Sequence, residues 1–231
     1  MAQISEESGS FVKSSESEMV FEKRKEPSST MEVVRILSSN YMYIACTLSL
    51  SLMFFIATNV QFWITDYFLV VIEAPKEDIA LAVLVICVTS PIIGAILSGH
   101  VANCVGGYKS RLAMPTVVGL ISICNILAIP VPLLNDFWTI VVILWFYFFF
   151  GSIMLPMLTG IMISSVEPYL RSKANALANI SYNLLGYFPA PFIYGIICEH
   201  TGGEKSRWGL TITFILNIFP LILLFIALFV D

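Results

Sequence analysis

Polar side chains recur inside a stretch of the sequence that is otherwise apolar enough to cross a membrane. Asn175, Asn179, Tyr182 and Gly186 follow one another at spacings of four, three and four residues, with Asn183 beside them. These spacings place the side chains on one face of a helix. A polar group in lipid costs free energy unless it faces protein or water. The pattern therefore predicts either the lining of a solute pathway or a face that packs against another helix.

Two prolines follow in the same segment, within the sequence NISYNLLGYFPAPFIYG. A proline inside a helix removes one amide donor and clashes with the carbonyl four residues before it. In a membrane, the freed carbonyls are tolerable only where protein groups or water bind them. We therefore expect the helix to bend here, with Gly186, Pro189 and Pro191 as a hinge. A fixed kink that only shapes packing is the alternative.

A second set of polar residues lies near the end of the first apolar segment. Asn59, Gln61 and Asp66 occur close together there, and Asp66 is the acid nearest to the interior of a segment. Polar and ionisable side chains within membrane helices often mark solute pathways. We regard these three residues as further pathway candidates. For Asp66, a solvated position at the membrane interface is the alternative.

Patterns typical of catalytic and metal sites are absent from the sequence. The cysteines are odd in number and none are spaced as C-x-x-C: Cys46, Cys87, Cys104, Cys124 and Cys198. Such cysteines predict neither a zinc site nor a disulfide framework. The sequence also lacks a glycine-rich phosphate loop, a nucleophile elbow and an HExxH motif. We expect no enzymatic activity, no metal, no cofactor and no nucleic-acid partner.

The composition indicates that the elements carrying these residues lie in lipid. Of 231 residues, 58% are hydrophobic and 12% are charged, and the mean hydropathy is +0.86. These values are too apolar for an ordinary water-soluble domain. Six apolar segments reach the roughly 20 residues needed to cross a bilayer as a helix: 41–66, 79–101, 112–134, 137–166, 174–198 and 208–230. We predict an all-α membrane protein in which residues 40–231 form a domain of six transmembrane helices within the bilayer.

The remaining residues, 1–39, are rich in Ser and Glu, and this composition predicts a disordered N-terminal segment. Basic residues are distributed unequally among the regions outside the six apolar segments. One set of regions consists of residues 1–39 and the second and fourth loops between the apolar segments, and the other set consists of the first, third and fifth loops. Nine belong to the first set: Lys13, Lys23, Arg24, Lys25, Arg35, Lys109, Arg111, Arg171 and Lys173. Three belong to the second set: Lys76, Lys205 and Arg207. Because basic loops stay in the cytoplasm, we expect both termini to be cytoplasmic.

One loop carries a recognisable motif, GHVANCVGGYKSR. Gly99, Asn103, Gly106, Lys109 and Arg111 resemble a worn copy of the loop signature of the major facilitator superfamily, which joins the second and third helices of each six-helix half. Asn103 stands in the place of its aspartate and Cys104 in the place of a basic residue.

A second motif reads EPYLRSKANALANISYNLLGYFPAPFIYG. Glu167, Pro168 and Arg171 lead into a helix rich in asparagine and small residues, which resembles the fifth helix of the second half in Spinster-like and organic-anion members. The sequence NVQFWITDYF in the first segment is similar to Spinster-like sequences of protists. The resemblance covers residues 32–231.

The resemblance implies that the chain is the C-terminal half of a transporter that moves a small organic or lipid-like solute by alternating access. Residues 1–39 would then be the cytoplasmic linker between the two halves. It also implies a gating loop made of Gly99, Asn103, Gly106, Lys109, Arg111 and Arg171. A half-transporter needs a partner, either an N-terminal half or a second copy. The alternative is a non-transporting membrane scaffold or regulatory subunit that keeps the helix bundle.

Overall fold

The computed structural model describes residues 29–230, and every regular element in this range is helical. Five helices are long and apolar enough to cross a membrane, which identifies a multi-pass integral membrane protein. They are span 1 (Tyr41–Val71), span 2 (Lys76–Cys104), span 3 (Ala113–Leu133), span 4 (Phe137–Ser164) and the terminal span (Trp208–Phe229). Four of the five contain a change of helix type or a break. Tyr67–Val71 and Val85–Thr89 are π-helical, Val131–Leu133 is a 3₁₀ turn, and the terminal span is interrupted at Asn217.

The fifth predicted span, 174–198, is not a continuous helix. The region runs as Arg171–Ser181, then the π-helix Tyr182–Tyr187, then Ala190–His200, and we call it the broken segment. The interruption falls at Phe188 and Pro189, between Gly186 and Pro191 of the predicted hinge. Pro191 is the second residue of the next helix, where a missing amide donor costs nothing because first-turn amides have no helical partner.

A short helix, Thr30–Ser39, replaces the C-terminal part of the predicted disordered segment. Its side chains at Val33 and Leu37, one turn apart, are buried against the bundle. The Ser29 hydroxyl accepts a hydrogen bond from the Met31 amide at 3.3 Å and caps the helix. The prediction of disorder is therefore wrong for residues 30–39, because two buried aliphatic residues suffice to dock one helical turn. Residues 1–28 of that prediction lie outside the described residues.

The loops lie at the two ends of the helix bundle, and the basic end is the one that carries the loop with Lys109 and Arg111. At the basic end, the loop that carries Lys109 lies beside Ser164 and Ser165, and the Asn40 amide donates to the Ser165 carbonyl at 2.8 Å. At the opposite end, which we call the distal end, the Lys205 ammonium lies 3.2 Å from the Glu73 carboxylate. Chain direction alternates between the two ends from one span to the next.

Span 1 is the central element of the bundle. In an apolar stretch of 18 residues of span 1, 67% of the residues are buried, whereas in the corresponding stretch of span 2 only 28% are buried. Span 1 packs on span 4, on the terminal span and on all three parts of the broken segment. The Tyr43 hydroxyl ties span 1 to the broken segment by donating to the Ala174 carbonyl at 2.8 Å. The polar residues of these two elements are consequently held in a fixed relation.

Candidate functional site

The asparagines of the broken segment form one continuous exposed stripe. Asn175, Asn179 and Asn183 are all exposed and follow at intervals of four residues, and we call this stripe the amide face. The Asn179 side chain donates to the Asn175 carbonyl and the Asn183 side chain donates to the Asn179 carbonyl, each at 2.8 Å. Each bond uses one side-chain donor, that of Asn179 or of Asn183, and the three exposed amides keep further donor and acceptor capacity.

Tyr182 and Gly186 do not belong to the amide face, so the predicted four-residue face is wrong. Both are buried in a neighbouring stripe, which also repeats every four residues: Ala174, Ala178, Tyr182, Gly186, Ala190 and Tyr194. The Tyr182 hydroxyl lies 3.4 Å from the Met162 sulfur inside the bundle. The predicted face combined residues from two adjacent stripes. Asn175 and Asn179 belong to the exposed stripe, and Tyr182 and Gly186 belong to the buried one.

Gly186 is a point of close contact between the broken segment and span 1. A Cβ atom at this position would lie 2.7 Å from the Ser51 carbonyl oxygen and 3.1 Å from the Phe54 Cβ. The predicted hinge therefore has two different parts. Gly186 permits a close helix contact, whereas Pro189 lies in the turn and Pro191 is the second residue of the following helix.

The polar cluster predicted for span 1 is divided between core and surface. Asn59 is 1% exposed, and neither atom of its amide has a hydrogen-bond partner among the residues that the structure describes. Gln61 and Asp66 are exposed. Asn59 is thus a buried polar group in the packed interior and does not line the same surface as the other two candidates.

Asp66 lies at the mouth of a cavity of about 450 Å³ at the distal end, which we call the distal cavity. The cavity forms between the end of span 1, the end of the broken segment and the loop that follows. Its walls are Trp63, Asp66, Tyr67, Val70, Val71, Tyr194, Gly195, Cys198, Glu199, Gly203 and Ser206. Asp66 was predicted from the sequence, whereas Glu199 and Ser206 were not, because they come from a segment more than a hundred residues later.

Aromatic contacts fix the inner wall of the distal cavity. The Trp63 and Tyr194 rings are stacked, with centroids 5.1 Å apart and planes 14° from parallel. The Trp63 indole donates to the Pro191 carbonyl at 3.2 Å, next to the interruption of the broken segment. Trp63 therefore contacts both the cavity wall and the backbone beside the interruption of the broken segment.

The residues of the predicted gating loop lie together at the basic end. Gly106 has a positive φ of 90° and ends the helix of span 2, where its amide donates to the Asn103 carbonyl at 3.1 Å. Lys109 lines a second cavity, of about 330 Å³, between this loop and the end of span 4. Gly99, Asn103 and Arg111 are exposed.

Arg171, the remaining predicted gating residue, caps a different element. Its Nε donates to the Val166 carbonyl at 3.4 Å, at the end of span 4. No salt bridge joins Arg171 or the Lys109 loop to an acid within residues 29–230. The described part of the chain thus provides basic groups at this end without their acidic partners.

Comparison with known proteins adds no assignment to this geometry. Neither a protein-family model nor a curated protein matches the chain. The likeness to major facilitator transporters consequently rests on the three sequence stretches quoted above.

Proposed function

We propose that the chain is the C-terminal six-helix half of a major facilitator transporter of the Spinster-like branch, moving a small organic or lipid-like solute by alternating access. The amide face is the observation that carries this proposal. Asn175, Asn179 and Asn183 are exposed along a segment flanked by exposed Ile180 and Leu184. Such a stripe is tolerable at membrane depth only if protein or water covers it. An opposing half enclosing a water-filled pathway meets this requirement.

In this arrangement the broken segment is the fifth of six crossings along the chain, between span 4 and the terminal span. It contacts span 1 near both ends, through Tyr43 with Ala174 and through Trp63 with Tyr194. Contacts with a membrane-spanning helix near both of its ends support a further crossing by this segment. The count then becomes six, and the positive-inside rule puts both termini in the cytoplasm.

The orientation has a direct test in intact cells. An epitope tag after Gly107 should be protected from antibody, because that loop carries Lys109 and Arg111. A tag after Gly203 should be accessible without permeabilisation. The reverse labelling pattern would contradict the proposed orientation.

In alternating access, the two halves rock against each other around a site between them. The proposal gives the basic loop of Gly99, Asn103, Gly106, Lys109 and Arg111 the role of a latch to acidic groups of the partner half. The turn at Pro189 is the place where the outer part of the broken segment can change its direction.

A membrane scaffold or regulatory subunit is the second candidate. It is favoured by the hydrogen bonds of Asn179 and Asn183 to their own helix, since these reduce the cost of facing another protein surface without water. The two functions differ in whether water reaches the amide face.

Cysteine labelling in the reconstituted assembly separates the two candidates. In a background without native cysteines, Asn179→Cys should react with a membrane-impermeant methanethiosulfonate, because the reactive thiolate forms in water and not in hydrocarbon. Ile180→Cys, one residue away and 54% exposed, is the matched control and should not react. Equal protection of both positions would exclude a water-filled pathway along the amide face.

A further inference from the structure

The distal cavity has a one-sided charge distribution. Asp66 and Glu199 are exposed acids in its wall, and none of its described wall residues is Lys, Arg or His. Of the nearby cations, Arg207 acts electrostatically on Tyr67 in the wall, where one positive charge stands against the two acids. Lys205 pairs with Glu73 at 3.2 Å, and the Arg207 guanidinium donates to the carbonyls of Pro132 and Leu134, each at 3.2 Å. A cationic ligand is therefore favoured over an anionic one.

The inner part of the same cavity is apolar and carries an unused hydroxyl. Trp63, Val70, Val71 and Tyr194 provide a wall that fits a hydrocarbon or aromatic group. Tyr67 also lines the cavity; it is 3% exposed, and its hydroxyl has no hydrogen-bond partner among the described residues. Buried polar groups are normally paired, so an unpaired hydroxyl beside a cavity is a place where a ligand or water completes the bonding.

We infer that the distal cavity binds an amphipathic organic cation, a ligand with an ammonium or guanidinium group attached to an apolar body. The carboxylates of Asp66 and Glu199 receive the charged group, the stacked Trp63 and Tyr194 rings form the wall for the apolar body, and the Tyr67 hydroxyl hydrogen-bonds to a polar atom of the ligand. A volume of about 450 Å³ is within the range of small-molecule pockets, roughly 300–1,000 Å³. This binding site does not depend on whether the chain is half of a transporter.

The wall chemistry favours an organic cation over a bare metal ion. Among residues 29–230, no group of three or more His, Cys, Asp or Glu side chains is placed to hold a metal. Two carboxylates can still form charge-assisted hydrogen bonds to the N–H groups of an ammonium. Aromatic faces attract such cations in addition.

Binding of 2-phenylethylammonium to the purified full chain in nanodiscs tests the inference. Calorimetry should detect its binding, whereas 3-phenylpropanoate, a similar molecule of opposite charge, should not bind. Asp66→Asn and Glu199→Gln should each weaken binding of the cation by at least about tenfold, the loss expected for one charge-assisted hydrogen bond. Tyr67→Phe should weaken it by a smaller factor.

Glu77→Gln is the matched control, since Glu77 is an exposed acid in the first turn of span 2 and outside the cavity. It should bind the cation as the native chain does. The exposed positions of Asp66 and Glu199 leave folding intact, which the thermal unfolding midpoint of each variant verifies. Equal binding of the anion, or undiminished binding of the cation by Asp66→Asn and Glu199→Gln, would overturn the inference. Neither result bears on transport through the amide face.

Discussion

Replacing Gly186 by alanine tests the contact on which the position of the broken segment depends. The added methyl carbon would lie 2.7 Å from the Ser51 carbonyl oxygen, about 0.7 Å closer than the 3.4 Å at which ordinary contact begins. The obstacle is backbone, so no side-chain rotation relieves it. The two helices have to separate by a similar distance, which also loosens the packing of Tyr182 and Phe54, whose ring centroids are 5.1 Å apart.

Overpacking of this kind costs about 1–3 kcal/mol in the free energy of unfolding. Alanine is also a better helix former than glycine by up to about 1 kcal/mol, so the measured loss is partly masked. Gly151→Ala provides the matched control, because Gly151 lies within the helix of span 4 and a Cβ there meets no atom within 4 Å. The difference between the two variants isolates the effect of the contact.

Denaturant titration in detergent micelles, followed by circular dichroism, measures both variants under one condition. We expect Gly186→Ala to unfold at lower denaturant concentration than the native chain and Gly151→Ala to equal or exceed it. If Gly186→Ala is as stable as Gly151→Ala, the helices do not approach through this glycine. The account of the buried stripe would then be wrong.

Three further outcomes are expected. Tyr43→Phe removes the hydrogen bond to the Ala174 carbonyl and should cost about 1 kcal/mol of unfolding free energy, whereas the exposed Tyr41→Phe should be neutral. Hydrogen bonds from Thr139 hold the pKa of Asp136 below its ordinary value of 3.8, so the stability they contribute is present above that value and is lost as pH falls through the folded-state pKa. The unfolding midpoint of Asp136→Asn should lack this acid-side decrease and match the native chain at neutral pH. Vesicles that contain only this chain as a monomer should show no solute uptake, and uptake by a demonstrated monomer would contradict the half-transporter proposal.

The five long helices could be predicted because hydropathy alone defines them. Each predicted segment begins and ends within about a turn or two of the observed helix, and the prolines correctly indicated an interruption of the broken segment. The helix at residues 30–39 could not be predicted, since composition averaged over the whole N-terminal segment hides Val33 and Leu37. The local sequence pattern was sufficient to predict a helix only where high hydropathy extended over a long segment.

The site was harder to predict than the helices. The prediction that Asn179 and Tyr182 share one face assumed that the exposed side of the helix was known. Which side is buried depends on the position of span 1, and the local sequence does not contain that information. The distal cavity depends on residues that are adjacent only after folding, such as Trp63 and Tyr194. The sequence contains no signal that pairs them.

The break at Phe188 and Pro189 has a consequence for biogenesis. A nascent helix leaves the translocon when its own hydrophobicity is sufficient, and the stretch Arg171–Ser181, with two asparagines and two basic residues, is poorly suited to do so alone. Span 1, already in the membrane, offers the buried surface on which Ala174, Ala178 and Tyr182 dock. In the proposed six-span arrangement, span 1 would assist insertion of the broken segment, and a defect in span 1 would change the number of crossings and place the C-terminus on the opposite side of the membrane.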